Sequence, residues 1–481
     1  MLDETARIVG RHIDFLPLKT YTNIREGNAL RIDWNEVIPA SECSYIMGNP
    51  PFVGASMMNA EQKNDAVRIF GKVKRSNSID YVGAWYYLAS SFMEGTSICA
   101  AFVSTNSITQ GEIVGAMWKP LFMRHPSLNI LFAYRTFIWD SEATEKAHVH
   151  CVIIGFSDKR QNITKRIYES EEAHNALNIN PYLIDSPNIV VSSRSYPISN
   201  VPKMTKGNQP SDGGNLILDE EQKNELVDSD PSIKECIKRY LGAKDFINGR
   251  PIRYCVWLKN VAPSVYAKNK DILVRLNKVR EARKKSSAKP TRDMAATPYL
   301  FFSTPQTTDE YICIPEVSSG NRFYIPIDFL DYNTIASNKL LIIPNATVYH
   351  FGILTSSVHM AWTRVVTGRL KSDYQYSSAI VYNNFVWPDT SEEQIKIISK
   401  TAKRILEVRK NYANSTFAEL YNPLTMPQDL LKAHRQNDKA VLEAYGLDPV
   451  IQERKIVEHL FKLYEEKVRK EQASSTAKTA G

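Results

Sequence analysis

Between residues 43 and 156, short unbroken apolar runs alternate with longer stretches whose apolar residues recur at helical spacing, and few folds accept that alternation. CSYIMG (43–48), SICAAFVSTNS (97–107), NILFAYRTF (129–137) and HVHCVIIGF (148–156) read as strands. Between them SIDYVGAWYYLASSFMEG (78–95) and GEIVGAMWKPLFM (111–123) carry helical patterns. Ahead of them ETARIVGRHIDFL (4–16) reads as helix and TNIREGNALRI (22–32) as strand. Strands separated by helices of this length predict an α/β fold, with a mainly parallel sheet covered on both faces.

After residue 157 the texture changes to turn-rich segments such as SDGGN (211–215) and FINGRP (246–251). Short strand-like pieces follow: RYCVWL, PYLFFS, YICIP, FYIPI, LLIIP and AIVYNN. This predicts an irregular α+β domain over 158–389. From 390 the pattern is helical. Thr390–Glu393 and Ser391–Gln394 each fit a capping box ahead of Ile395, Ile398, Ala402 and Ile405. PVIQERKIVEHLFKLYEEKVRK (449–470) completes a helical region over 390–472, and 473–481 reads as a disordered tail. With 1–157 as the first unit, three domains suit a chain of 481 residues.

Charge follows the same division. The chain has a net charge of +8, yet residues 1–150 carry 14 Lys and Arg against 15 Asp and Glu, so the surplus lies beyond them. The run 267–293 alone holds ten basic and three acidic residues. A neutral first third and a basic remainder suggest chemistry in one part and a polyanion on the other, although such a run also suits a solvated helix face. No apolar run approaches a membrane span and no secretory pattern follows Met1, which points to a soluble, cytoplasmic protein. The six cysteines are scattered and fit reduced thiols. His148 and His150 supply only two ligands on one strand face, so no metal site is expected.

The sharpest feature is Asn49-Pro50-Pro51-Phe52, directly after an apolar strand. Such a match arises by chance about one or two times in a hundred in a chain of this length. The amino group of adenine is a poor nucleophile because its lone pair is delocalised into the ring. Two acceptors on its hydrogens, the Asn49 side-chain oxygen and the Pro50 carbonyl, draw the nitrogen toward a tetrahedral shape. Consecutive prolines fix φ and aim that carbonyl in advance. Phe52 offers a flat face to a base that has left the duplex. Attack on a methylsulfonium then depends mainly on position and needs no strong base.

IMGNPPF resembles the signature of N6-adenine amino-methyltransferases. The likeness extends through GNALRIDW (27–34), GNPPFVGA (48–55), DYVGAWY (80–86), AFVSTNSITQG (101–111) and HVHCVIIGF (148–156), in the order of the γ-class core. YLGAKDFINGRPIRYCVWL (240–258), YHFGILTSSVHMAW (349–362), TGRLKSDYQYSSAIVYNNFVWP (367–388) and YNPLTMP (421–427) resemble the target-recognition and C-terminal regions of MmeI-type restriction–modification enzymes. The resemblance implies a Rossmann-like methyltransferase sheet, an α+β target-recognition domain and a helical C-terminal region. It implies S-adenosylmethionine as cofactor and double-stranded DNA as partner. Asn49, Pro50 and Phe52 take the roles above, Pro51 shapes the loop, and Asn28 falls near the cofactor's adenine. VSSGNRFYIPI (317–327) is similar to the family's base-reading segment. There Arg322 suits a guanine in the major groove, or else a phosphate or a carboxylate, and Gly320 leaves room for a base. Arg369, Lys371, Tyr374 and Tyr376 suit phosphate contacts, or else a polar strand on the domain's own surface.

Two parts of the family pattern are missing. The chain has no room for an N-terminal endonuclease domain. The glycine-rich loop that holds the cofactor belongs roughly a hundred residues ahead of the catalytic loop. Only 48 residues precede Asn49, and Gly10, Gly27 and Gly48 among them stand alone. The expectation is an incomplete sheet with an exposed edge. Such a C-terminal portion either pairs with a separately encoded N-terminal half or has little activity alone. A catalytically inactive DNA-recognition module is the alternative, and methylation of RNA or of a protein amide a third reading.

Overall fold

The computed structural model describes residues 24–139, 149–159 and 163–479. The helix expected over 4–16 and His148 of the histidine pair lie outside them. The first sheet contains β1 (Tyr45–Gly48), β2 (Cys99–Thr105), β3 (Asn129–Trp139), β4 (Val149–Ser157), β5 (Lys165–Glu169) and β6 (Glu172–Ala176), in the order β1-β2-β4-β3-β5-β6. β1 runs parallel to β2, with Tyr45 opposite Cys99 and Gly48 opposite Phe102, and β5 runs parallel to β3. The other pairings, β2–β4, β3–β4 and β5–β6, are antiparallel, so the sheet is mixed and not mainly parallel. Only residues 140–148 separate β3 from β4, too few for the crossover of a dozen or more residues that a parallel pair requires. Nor does the sheet stop at residue 157, where the change of texture places a boundary, because β5 and β6 carry it to Ala176. β1 is an edge of this sheet, and its Tyr45 and Met47 are exposed.

Three helices flank the sheet: α1 (Ala60–Phe70), α2 (Gly83–Phe92) and α3 (Gly111–Arg124). α1 begins on a reciprocal cap, the Asn59 side chain accepting from the Gln62 amide and the Gln62 side chain from the Asn59 amide. α2 is apolar almost all round and is buried accordingly. Its Tyr86 stacks on Phe156 of β4 at 5.1 Å and shares a hydrogen bond of 2.8 Å with Ser104 of β2. The described part of the stretch read as a strand at 22–32 forms turns instead. The Asn28 side chain accepts from the Leu30 amide and its carbonyl from Arg31, and such local bonds compete with strand pairing.

The next region folds into three small sheets. β7 (Thr205–Lys206) and β8 (Ile217–Leu218) precede β9 (Ile237–Leu241) and β10 (Arg253–Val256). β11 (Tyr311–Pro315), β12 (Val317–Ser318), β13 (Asp328–Leu330), β14 (Thr334–Ala336) and β15 (Leu340–Pro344) follow, with the hairpin β16 (Gly368–Leu370) and β17 (Asp373–Gln375). The sheets are ordered β14-β9-β10-β8, β13-β11-β15-β7 and β12-β17-β16. AIVYNN is not a strand: Ser378–Tyr382 form a turn of π-helix. Asn384, fully buried, closes that turn by donating to Ala379 and Ile380 carbonyls. PYLFFS and FYIPI are likewise outside the named strands. The basic run is helical, chiefly α4 (Lys270–Lys284).

The remaining helices used below are α5 (Val348–Leu354), α6 (Ser357–Val366), α7 (Glu392–Lys410), α8 (Gln428–Ala444) and α9 (Glu453–Thr479). Of the two possible capping boxes the Ser391–Gln394 one forms. α9 continues to Thr479, through most of the stretch read as a disordered tail. No helix among the described residues is long and apolar enough to cross a membrane. One apolar cluster runs from Leu30 through the first sheet to Tyr464 of α9, so the first and last segments share a core.

His359 of α6 sits in that core, 1% exposed, its Nε2 hydrogen-bonded to the Tyr376 hydroxyl at 2.8 Å. Burial lowers its pKa from 6.5 to about 3. The folded protein therefore keeps it neutral across a window in which the unfolded chain binds a proton. Stability from this group is present above pH 6.5 and is lost as pH falls toward 3. The stability advantage of the native chain over a His359→Phe variant should shrink by about 1.4 kcal/mol per pH unit in that window. Urea unfolding of both proteins from pH 7 to 4 measures it, and a constant difference contradicts it.

Candidate catalytic loop and recognition hairpin

β1 delivers the chain into Asn49-Pro50-Pro51-Phe52 at the edge of the sheet. Asn49 is exposed and Phe52 half-buried, so neither is packed away inside the protein. The Asn49 amide has no hydrogen-bond partner among the described residues, and neither has the Pro50 carbonyl. Phe52 has no ring partner among them. Pro51 closes the turn by accepting from the Val53 amide at 3.1 Å.

The loop is held from behind by residues to which the sequence reading assigned no role. The Val53 carbonyl accepts from the Tyr81 amide at 2.9 Å, and the Ala55 amide donates to Asp80 Oδ1 at 2.9 Å. Asp80 Oδ2 accepts from the Ser107 hydroxyl, which also shares a hydrogen bond of 2.9 Å with Thr105 at the end of β2. Asp80 is thus a buried carboxylate joining the loop after Phe52, the approach to α2 and the end of β2. A lone acidic residue ahead of an otherwise apolar helix was the signal available for it.

Beside Asn49 and Pro50 lies a cleft of about 630 Å³, walled by Trp34, Tyr81, Trp85 and Phe102. Asn28 lines this cleft, but its amide is engaged by the protein. Nδ2 donates to Asp65 at 2.9 Å and Oδ1 accepts from Leu30. Asp65, 5% exposed, also takes hydrogen bonds from Arg31 at 2.9 Å and from the Tyr81 hydroxyl at 3.0 Å. The Arg31 guanidinium, more than any other neighbour, holds the Asp65 carboxyl below its usual range. These bonds brace the turn over 27–31 against α1.

The second group of sequence candidates divides. Arg322 is half-buried, donates to the Ser318 hydroxyl at 3.1 Å, and has a buried Nε without a partner. Lys371 is exposed at the tip of the β16–β17 hairpin. Arg369 lies over the Tyr374 ring at 4.6 Å and donates to the Ser372 carbonyl at 3.0 Å, so it braces its own hairpin. Tyr374 and Tyr376 are each 2% exposed and belong to the core, not to a phosphate-binding surface. Tyr374 donates to the Gly320 carbonyl at 3.1 Å. Gly320 does not leave room for a base either. A Cβ there would stand 2.2 Å from the Ser372 carbonyl oxygen, so its missing side chain lets the hairpin backbone approach.

The hairpin also touches the catalytic unit. Gly111, at φ 63°, opens α3, and a Cβ on it would meet the Gly368 Cα at 3.0 Å. This backbone contact lies four residues beyond Ser107, which bonds to Asp80 behind the loop.

Comparison with known proteins places this geometry. The family model described as MmeI, DNA-methyltransferase domain, matches residues 2–169. Those for the MmeI target recognition and C-terminal domains match 185–389 and 390–470. The chain is 41% identical over 453 residues to DNA methyltransferase A of Bacillus subtilis (strain 168), covering 94% of this chain and 51% of that relative. It also resembles the type IIL restriction–modification enzyme MmeI, solved in complex with DNA, at a TM-score of 0.83 and 43% identity. That match covers 97% of this chain and 63% of MmeI. The chain thus spans about half the length of the curated relative.

Proposed function

The chain belongs to the MmeI family of restriction–modification DNA methyltransferases, and from this premise we propose that it methylates the N6 amine of an adenine extruded from duplex DNA at a specific site. One observation carries the reading. The Asn49 side chain and the Pro50 carbonyl line a cleft and are both unengaged among the described residues, with the unstacked Phe52 ring two residues beyond Pro50.

Phe52 stacks on the flipped base. Asn49 Oδ1 and the Pro50 carbonyl accept the two amino hydrogens, which frees the nitrogen lone pair for attack. The aromatic walls of the neighbouring cleft fit an adenosyl group, and about 630 Å³ lies within the range of small-molecule sites. Trp34, Tyr81 and Trp85 would hold S-adenosylmethionine, which supplies an electrophilic methyl carbon. The amine proton displaced by the methyl group would leave past exposed Asn49 to water. Asn28 acts through the turn it braces. On the DNA side Arg322 is the base reader and Lys371 the phosphate contact, with Arg369 holding the hairpin that carries Lys371.

Nucleoside analysis of duplex DNA incubated with the chain and S-adenosylmethionine is the direct test. N6-methyladenine supports the assignment. Methylcytosine overturns the choice of base, and unmodified DNA favours a recognition module without activity.

Asp80 gives a further expectation. Asp80→Ala releases the Ala55 amide and the Ser107 hydroxyl together, so the Tyr81–Val53 backbone bond alone of these ties still holds the loop from behind. A displacement on the order of 1 Å costs about a hundredfold in rate. The loss should fall on kcat, with KM for DNA little changed and Asp80→Asn intermediate. Equal losses in both variants, or a loss confined to KM, would argue against the role.

A further inference from the structure

The loop over 319–323 that carries Arg322 is anchored at both ends, and its two anchors belong to different parts of the protein. The near anchor is the β16–β17 hairpin, through Gly320 and Tyr374. The far anchor is the helical region after residue 390. The Tyr324 hydroxyl, two residues beyond Arg322, donates to Asp438 Oδ2 of α8 at 2.6 Å. The Tyr324 ring stacks on His434 of the same helix, centroids 4.1 Å apart. Arg409 of α7 donates to the Ile327 carbonyl at 2.8 Å and pairs with Asp328 at 3.2 Å. Between these, Arg364 of α6 donates to the Phe323 carbonyl at 3.0 Å while it pairs with Glu453 of α9.

Tyr324, His434, Asp438 and Arg409 are all less than 10% exposed. A buried carboxylate and a buried guanidinium cost stability unless their hydrogen bonds are satisfied. Packing α8 does not call for them, because Leu430, Ala433 and Val441 already bury an apolar face. Asp438 Oδ1 also accepts from the Ser357 amide at the start of α6, and His434 shares a hydrogen bond with Tyr421, but Asp438 Oδ2 and the Arg409 guanidinium bond to the segment just beyond the exposed loop.

We propose that Asp438, through Tyr324, is a positioning residue for base recognition, so that the C-terminal helical region shares in setting which DNA sequence is read. This rests on the assignment of Arg322 as a base-contacting residue. Without the Tyr324–Asp438 bond the far anchor loses its side-chain tie nearest the loop, and the Arg322 guanidinium, whose only side-chain acceptor among the described residues is Ser318, loses its fixed distance from the hairpin.

The test selects duplexes from a randomised library with the full chain, with Arg322→Ala and with Tyr324→Phe, and records thermal midpoints for all three. Tyr324→Phe keeps the ring stacked on His434 and removes only the hydroxyl. Arg322→Ala should erase preference at one position of the selected sequence. Tyr324→Phe should weaken preference at that same position by roughly tenfold, with total DNA binding within twofold. An unchanged preference in Tyr324→Phe beside a lost one in Arg322→Ala overturns the proposal and leaves the Arg322 reading intact. A uniform fall in binding with the sequence preference preserved, or with a lowered midpoint as its only companion, also overturns it. An unaltered preference in Arg322→Ala, or no enriched sequence with the native chain, refutes the underlying reading instead.

Discussion

Replacing Asn49 by alanine is expected to lower methyl transfer by about 10²- to 10³-fold while leaving DNA affinity within a few-fold of the native chain. The magnitude follows from what is removed. In the proposed mechanism Asn49 Oδ1 is one of two acceptors for the reacting amine, and losing one preorganised group from such a pair costs several kcal/mol of transition-state stabilisation. The Pro50 carbonyl remains, so transfer falls without vanishing. Stability should hardly change, because the Asn49 side chain is exposed and makes no hydrogen bond among the described residues. Phe52→Ala separates the roles. It removes the stacking surface and leaves both acceptors, so its defect should appear in capture of the extruded base. Tritiated-methyl transfer under single-turnover conditions, with binding followed separately, distinguishes the two. Transfer by Asn49→Ala within threefold of native would remove the chemical basis of the proposed function.

Some of this arrangement was legible in the sequence because it is local. A strand entering Asn49-Pro50-Pro51-Phe52 is one contiguous segment, and the prolines dictate its backbone whatever surrounds it. What was not legible depends on partners distant in the chain. Asp80 clamps the loop from 25 residues past Ala55, and Asp438 reaches Tyr324 across 114 residues. Tyr374 and Tyr376 have the alternation of a polar strand, yet both are buried because α6 and the loop over 319–323 cover that face. The direction of β4 was hidden for a similar reason. An apolar run does not announce whether it pairs parallel or antiparallel, and the short connection from β3 decides the matter.

The basic run over 267–293 shows the same effect with the largest consequence for stability. It was open to two surface readings, a polyanion-binding face or a solvated helix, and Arg283 fits neither. It is 1% exposed, and every one of its guanidinium donors is spent on backbone. Nε donates to the Ser211 carbonyl, Nη1 to those of Met294 and Thr297, and Nη2 to those of Pro210 and Leu300, all within 3.0 Å. These carbonyls lie in turn-rich segments before β8 and after α4, where those of Pro210, Met294 and Thr297 also accept from the Phe302, Thr297 and Leu300 amides, while those of Ser211 and Leu300 depend on the guanidinium. Arginine suits the task because its five donors form a rigid fork that stays charged, even though burial pulls its pKa down. Arg283→Met keeps much of the volume, removes five hydrogen bonds and leaves the Ser211 and Leu300 carbonyls without a partner among the described residues. It should destabilise the recognition domain by about 2–6 kcal/mol, at about 1–3 kcal/mol for each of the two acceptors left unsatisfied. Arg283→Lys should recover only part of this, since an ammonium has three donors on a narrower head. Hydrogen exchange across 208–302 and urea unfolding read the effect. A loss under 1 kcal/mol in Arg283→Met would mean that water can take over the two carbonyls, and that the arginine is a passenger in the fold.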